Sequence, residues 1–143
     1  MREAISIYGD KEHITQVSRS YVFFRFPDGN QDRKKVNETE LKELYDWVNS
    51  EREFYSRMYN ELSKSYEKQR ELLEKRHYYT KEEIQVACKK NRFANIDMEI
   101  RNEEYMKESH RISGLTTEAA RINDKYWKYV NLTRQIQAVL RNL

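Results

Sequence analysis

Along most of this chain the apolar positions recur every three or four residues, and only the first 36 residues break that rhythm. There, "SYVFFRF" (Ser20–Phe26) concentrates β-branched and aromatic side chains and runs into "PDGN" (Pro27–Asn30). In that turn Pro pre-sets φ and Gly supplies the left-handed position. "QDRKKV" (Gln31–Val36) reads as the returning, solvent-facing strand, so a hairpin is predicted over 20–36. "AISIY" (Ala4–Tyr8), followed by Gly9-Asp10, predicts a third strand from residues 3–8. A ribbon this small is marginal alone and needs cover for Val22, Phe24 and Phe26.

The helical rhythm starts at "VNETEL". Asn37 can cap, Glu40 can close the capping box, and Val36 can staple against Leu41. Apolar residues from Leu41 to Leu73 then predict a helix over about 38–78. "YTKEEI" repeats the grammar, with Thr80 as cap, Glu83 closing the box and Tyr79 stapling against Ile84. Lys75 and Arg76 fall in the preceding last turn, where cations meet the negative end of the helix dipole. The second helix, about 81–113, carries two apolar stripes. Ile84, Ala87, Cys88, Ala94, Met98, Tyr105 and Ile112 lie on one side, and Val86, Phe93, Ile96 and Ile100 roughly opposite. Two apolar sides predict a helix sandwiched between neighbours. "SGLTTE" predicts a stop, with Gly114 in the left-handed position and Thr116 or Thr117 as the next cap. The third helix, about 117–143, has a seam at Leu115, Ala119, Ile122, Tyr126, Tyr129, Thr133, Ile136, Leu140 and Leu143. Its steps alternate four and three, the 3.5-residue period of a coiled coil.

The predicted fold is therefore α+β and mainly α: an N-terminal β-hairpin or three short strands in 1–36, then a three-helix antiparallel, coiled-coil-like bundle in 37–143, forming one structural unit. The second helix returns along the first from a tip near Thr80. The third turns at Gly114 and heads for the tip again, ending opposite roughly residue 87. The start of the first helix, with Leu44 and Trp47, is left to cover the ribbon.

Composition agrees with exposed helices sharing a narrow seam: 36% of the 143 residues are charged and 38% hydrophobic, against about 25% and 45–50% in ordinary domains. The 18 aromatics argue against disorder. Net charge is only +3, but it is unevenly spread. Residues 64–92 hold 9 Lys/Arg against 5 Asp/Glu, a surplus of +4, while residues 1–63 hold 10 against 12, or −2. The single cysteine, Cys88, cannot form an internal disulfide, which suits a reducing compartment. There is no apolar run near 18 residues and no signal-peptide core. The expected location is the cytoplasm, that of the host if the protein is viral, with no membrane partner.

The motifs of catalysis do not emerge. His13, His77 and His110 are scattered, and Glu82-Glu83 and Glu103-Glu104 are adjacent pairs pointing different ways on a helix. No phosphate-binding glycine loop or nucleophile elbow is present, and three glycines could hardly build one. Cys88 has lysines just after it but sits on an apolar stripe, as a core cysteine does. The expectation is a non-enzyme with no catalytic, metal or cofactor site. The basic tip is the better candidate. Arg70, Lys75, Arg76, His77, Lys81, Lys89, Lys90 and Arg92 are predicted to cluster there, with Tyr78 and Tyr79 among them. Clustered cations with interleaved aromatics can contact nucleic acid or a protein partner; Glu67, Glu71 and Glu74 dilute the patch. Tyr55, Tyr59, Tyr66, Trp127 and Tyr129 are candidate interface aromatics, for a protein partner or for a homodimer. In general character the chain is similar to the compact, tyrosine-rich, glycine-poor orphan proteins of phages and mobile elements. That likeness implies an inhibitor of a host or defence complex, anti-CRISPR proteins included. The functional expectation is a macromolecular binding protein, with nucleic-acid binding through the tip as the alternative.

Overall fold

The computed structural model describes residues 5–143 and is mainly α: a three-stranded antiparallel sheet followed by three helices. β1 (Ile14–Ser18), β2 (Tyr21–Arg25) and β3 (Gln31–Lys35) lie in the order β1-β2-β3. The predicted hairpin is present. Phe24 faces Asp32 across it, and Gly29 holds a φ of 87° in the Pro27–Asn30 turn. The third strand is β1, not residues 3–8. Residues 3 and 4 lie outside the described residues, and residues 5–8 are coil and turn, folded around the Ser6 hydroxyl that accepts from the Tyr8 and Gly9 amides. A bulge between Ile14 and Gln16 explains why β1 escapes a period-two reading. The extra residue lets Ile14 and Val17 both reach the core although they are three apart.

α1 (Glu38–Glu74) starts as predicted: the Glu40 amide donates to Asn37 Oδ1 at 2.8 Å, and Glu40 Oε1 accepts from the Asn37 amide at 3.3 Å. It stops four residues earlier than expected. α2 (Lys81–Lys90) opens with the complete Thr80–Glu83 capping box. The two remaining boundaries differ from the sequence reading. α2 is only 10 residues long, and α3 (Ala94–Arg141) runs for 48 residues through Gly114 without a stop. Asn91 ends α2 in an extended conformation, and its side-chain oxygen accepts from the Phe93 amide at 3.2 Å, turning the chain into α3. Gly114 is not left-handed, and Thr116 caps nothing; its hydroxyl donates back to the Ser113 carbonyl inside the helix. Ile112 stands three before Leu115, in phase with the seam beyond it. A helix interrupted there would lose that register, whereas an interior glycine costs only about 1 kcal/mol.

The chain divides into two compact units, each fed by both α1 and α3. One comprises the residues up to Met58 with Ile122–Leu143, the other Tyr59–Arg121. In the first, Ile14, Val17, Val22, Phe24 and Phe26 pack with Leu41, Leu44 and Val48 of α1 and Tyr129, Leu132 and Ile136 of α3. The end of α3 thus covers the sheet together with the start of α1. The turn expected at Gly114, which was to start a separate third helix, is absent because α3 is continuous through it. Tyr45 meets Gln137 and Tyr55 stacks on Tyr129, so these stretches run antiparallel. Gln135 Oε1 accepts from the Val17 amide at 2.7 Å, tying α3 to the sheet's first strand. The second unit is built differently. Only Leu73 and Ile112 are buried hydrophobics there. Among the described residues, no helix is long and apolar enough to cross a membrane.

Candidate functional site

The second unit carries most of the residues that the sequence nominates for contact. Where α1 ends at Glu74, residues 75–80 form an irregular connection into α2. Its middle is pinned by one side chain. The Tyr79 amide donates to Asn102 Oδ1 at 2.8 Å, and Asn102 Nδ2 donates to the Tyr79 carbonyl at 2.9 Å. That reciprocal pair satisfies a backbone segment that no helix or strand serves. The Tyr79 hydroxyl lies 3.5 Å from Arg101 Nη1. His77 Nε2 sits 2.6 Å from Glu83 Oε2, with its ring edge-on to Tyr79 at 4.8 Å. The hydrogen bond from His77 holds the Glu83 carboxyl below its ordinary range, aided by the Thr80 contacts and opposed by partial desolvation. His77 and Tyr79 are therefore engaged in building the connection.

Other members of the predicted tip are partly committed too. Arg70 pairs with Glu74 at 3.5 Å, and its guanidinium lies 6.0 Å from the Tyr66 ring centroid. Arg76 adds to the positive field that lowers the Glu108 carboxyl, after the direct hydrogen bond from Arg111. Arg70, Arg76 and His77 are nevertheless exposed, as are Lys75, Lys81, Lys89, Lys90 and Arg92 and the Tyr78 ring, which is tilted against Tyr105 at 5.4 Å. Cys88 is half-buried, with its Sγ toward Asn95 Oδ1 at 3.8 Å.

The candidate aromatics divide by environment. Tyr129 is buried, edge-on to Trp47 and stacked on Tyr55, and burial pushes its hydroxyl up to about 12. It belongs to the core of the first unit, so its assignment to an interface is corrected. Tyr55 is covered by that stack and has Lys125 over its ring at 5.5 Å. Tyr66 is half-buried, while Tyr59 and Trp127 are exposed.

The stripe expected to be sandwiched is the feature that sequence reasoning placed wrongly. Ile84, Ala87, Cys88, Ala94, Met98 and Tyr105 are partly covered and Ile112 is buried, as one packed face requires. The opposite stripe is exposed: Val86 is 55% exposed, Phe93 64%, Ile96 54% and Ile100 49%. Leu72, Tyr78 and Met106 are exposed as well. Gly114 lies inside α3, so the turn expected to bring a third helix over this stripe is absent. The apolar periodicity was visible; its missing neighbour was not.

Among the described residues no three His, Cys, Asp or Glu side chains come together in a way that could hold a metal ion. A cleft of about 600 Å³ in the first unit, between the Arg19-Ser20 turn and the end of α3, has Arg19 and Glu38 as its ionisable side chains and contains neither His nor Cys. No family model matches the chain, and no curated protein or solved structure is significantly similar to it.

Proposed function

We propose that this is a non-enzymatic binding protein that docks a protein partner through the Tyr59–Arg121 unit, at the connection between α1 and α2. One observation carries the reading. Of the twelve large hydrophobics exposed among the described residues, eight fall in this unit, whose buried hydrophobics are Leu73 and Ile112 alone. Scattered exposed apolar residues are ordinary on any surface; a concentration in the unit with the poorest core marks an interaction site. At the connection, Leu72 and Tyr78 stand beside Lys75 and Lys81, the aromatic and cationic mixture that interfaces favour. Inhibition of a host or defence complex is the finer form of the proposal, and the identity of the partner decides it.

The test has two steps. The tagged full chain is used to capture its partner from the native host, and the identified protein is then titrated, purified, against wild type and a Leu72→Ser/Tyr78→Ala variant. Loss of at least about tenfold in affinity in the variant supports this docking surface. Equal binding to both proteins removes it.

Nucleic-acid binding is the second reading, favoured by the exposure of Lys75, Lys81, Lys89, Lys90 and Arg92 in the same unit as the exposed Tyr78. Phosphate contacts release counterions, so affinity would fall steeply with salt. A gel-shift titration at two salt concentrations, with Lys89→Glu/Lys90→Glu as control, decides it. Absence of a shift at low salt eliminates this reading.

A further inference from the structure

We infer that the exposed stripe at the start of α3 is a self-association face, occupied by a second copy of this chain across a two-fold axis. Phe93, Ile96 and Ile100 step by three and four, so they share one helical side; the Ile96 amide donates to the Phe93 carbonyl at 3.2 Å, continuing the turn between them. All three are about half exposed or more, with Val86 exposed on α2 before them. A unit with only two buried hydrophobics and this much exposed apolar surface resembles half of a core rather than a finished one.

Charge selects the orientation. Lys89, Lys90 and Arg92 precede the stripe, a charge of +3. Around and beyond it, Asp97, Glu99, Glu103 and Glu104 outnumber Arg101 and Lys107, leaving −2. Asp97–Arg101 and Glu103–Lys107 are already paired within the helix, at 3.2 and 3.3 Å, so Glu99 and Glu104 carry the excess. A parallel pairing would set like ends together. An antiparallel, two-fold pairing puts each cationic end against the partner's acidic end, twice over, and lays isoleucine against isoleucine at the centre. Arg92 already lies over the Phe93 ring at 5.6 Å, holding its charge at the edge of the apolar patch.

The experiment measures the mass of the full chain by light scattering and sedimentation across micromolar concentrations. Wild type is expected to be a dimer, and Ile96→Glu/Ile100→Glu a monomer with unchanged helicity. Two charge variants make the test independent of that substitution. Lys89→Glu/Arg92→Glu and Glu99→Lys/Glu104→Lys should each weaken dimerisation at least about tenfold, because each sets like charges together. Mixed in equal amounts, they should recover a heterodimer, since the reversed ends complement each other. A monomeric wild type, or a mixture that stays monomeric, overturns the inference. The docking of a partner at Leu72 and Tyr78 is tested separately, by the Leu72→Ser/Tyr78→Ala variant, which leaves the stripe intact.

Discussion

Both carboxylate oxygens of Glu83 are engaged, Oε1 with the Thr80 amide and hydroxyl and Oε2 with His77. One side chain therefore caps α2 and anchors the connection before it. Its folded value is lowered from 4.5, first by the His77 hydrogen bond, so the contribution of this contact is present above about pH 4.5 and is lost as pH falls through the lower folded value. His77→Ala should move the Glu83 carboxyl titration, followed by NMR, back up toward 4.5; an unmoved titration would show that His77 is not the cause. Tyr129 gives the opposite sign. Burial raises it from 10.0 to about 12, so its neutral form stabilises the fold fully below about pH 10, and that contribution drains away as pH climbs through 12. The slope is up to about 1.4 kcal/mol per pH unit in that window. Denaturant unfolding of wild type and Tyr129→Phe at rising pH should show this slope in the first and its reduction in the second.

At the scale of elements, Gly114 gives the clearest test of continuity. It stands inside α3, and a Cβ built on it meets nothing within 4 Å. Gly114→Ala should therefore stabilise the protein by about 1 kcal/mol in denaturant unfolding. A left-handed turn at that position would make the same change destabilising, so the sign alone distinguishes the two. This position also marks how far the elements could be read from sequence. The starts of α1 and α2 were legible because a capping box lies within four residues, with Asn37–Glu40 and Thr80–Glu83 as its two instances. The β2–β3 turn was legible for the same reason, through Gly29. β1 was hidden by a bulge that spoils alternation, and the stop at Asn91 by the lack of any Gly or Pro to announce it. Gly114 misled in the other direction. A single glycine is a cheap intrusion in a long helix, and the unbroken phase from Ile112 to Leu115 was the better guide.

For the molecule as a whole, burial is uneven, and that unevenness was the least legible property in the sequence. Periodicity identifies which residues share a face; whether a face is covered depends on where distant elements arrive. Val86, Phe93, Ile96 and Ile100 therefore looked like core, while Tyr129, which the sequence offered both as a seam position and as an interface aromatic, is enclosed by Trp47 and Tyr55 as the seam required. The cations of the tip could be named from sequence, but not that His77 is already paired with Glu83. The same unevenness predicts how the protein opens. Local opening free energy follows buried apolar contact, so amides of Val22–Phe24 and Leu132–Ile136 should exchange only through global unfolding. Amides of α2, which has no buried residue, should exchange by local opening, on the order of a hundredfold faster or more. Hydrogen–deuterium exchange by mass spectrometry reads this directly. Uniform protection across both units would contradict it. Repeating the measurement on the Ile96→Glu/Ile100→Glu variant links this scale to self-association: if a second copy covers the stripe, the Phe93–Ile100 segment should lose protection in the variant, whereas Leu132–Ile136 should keep its own.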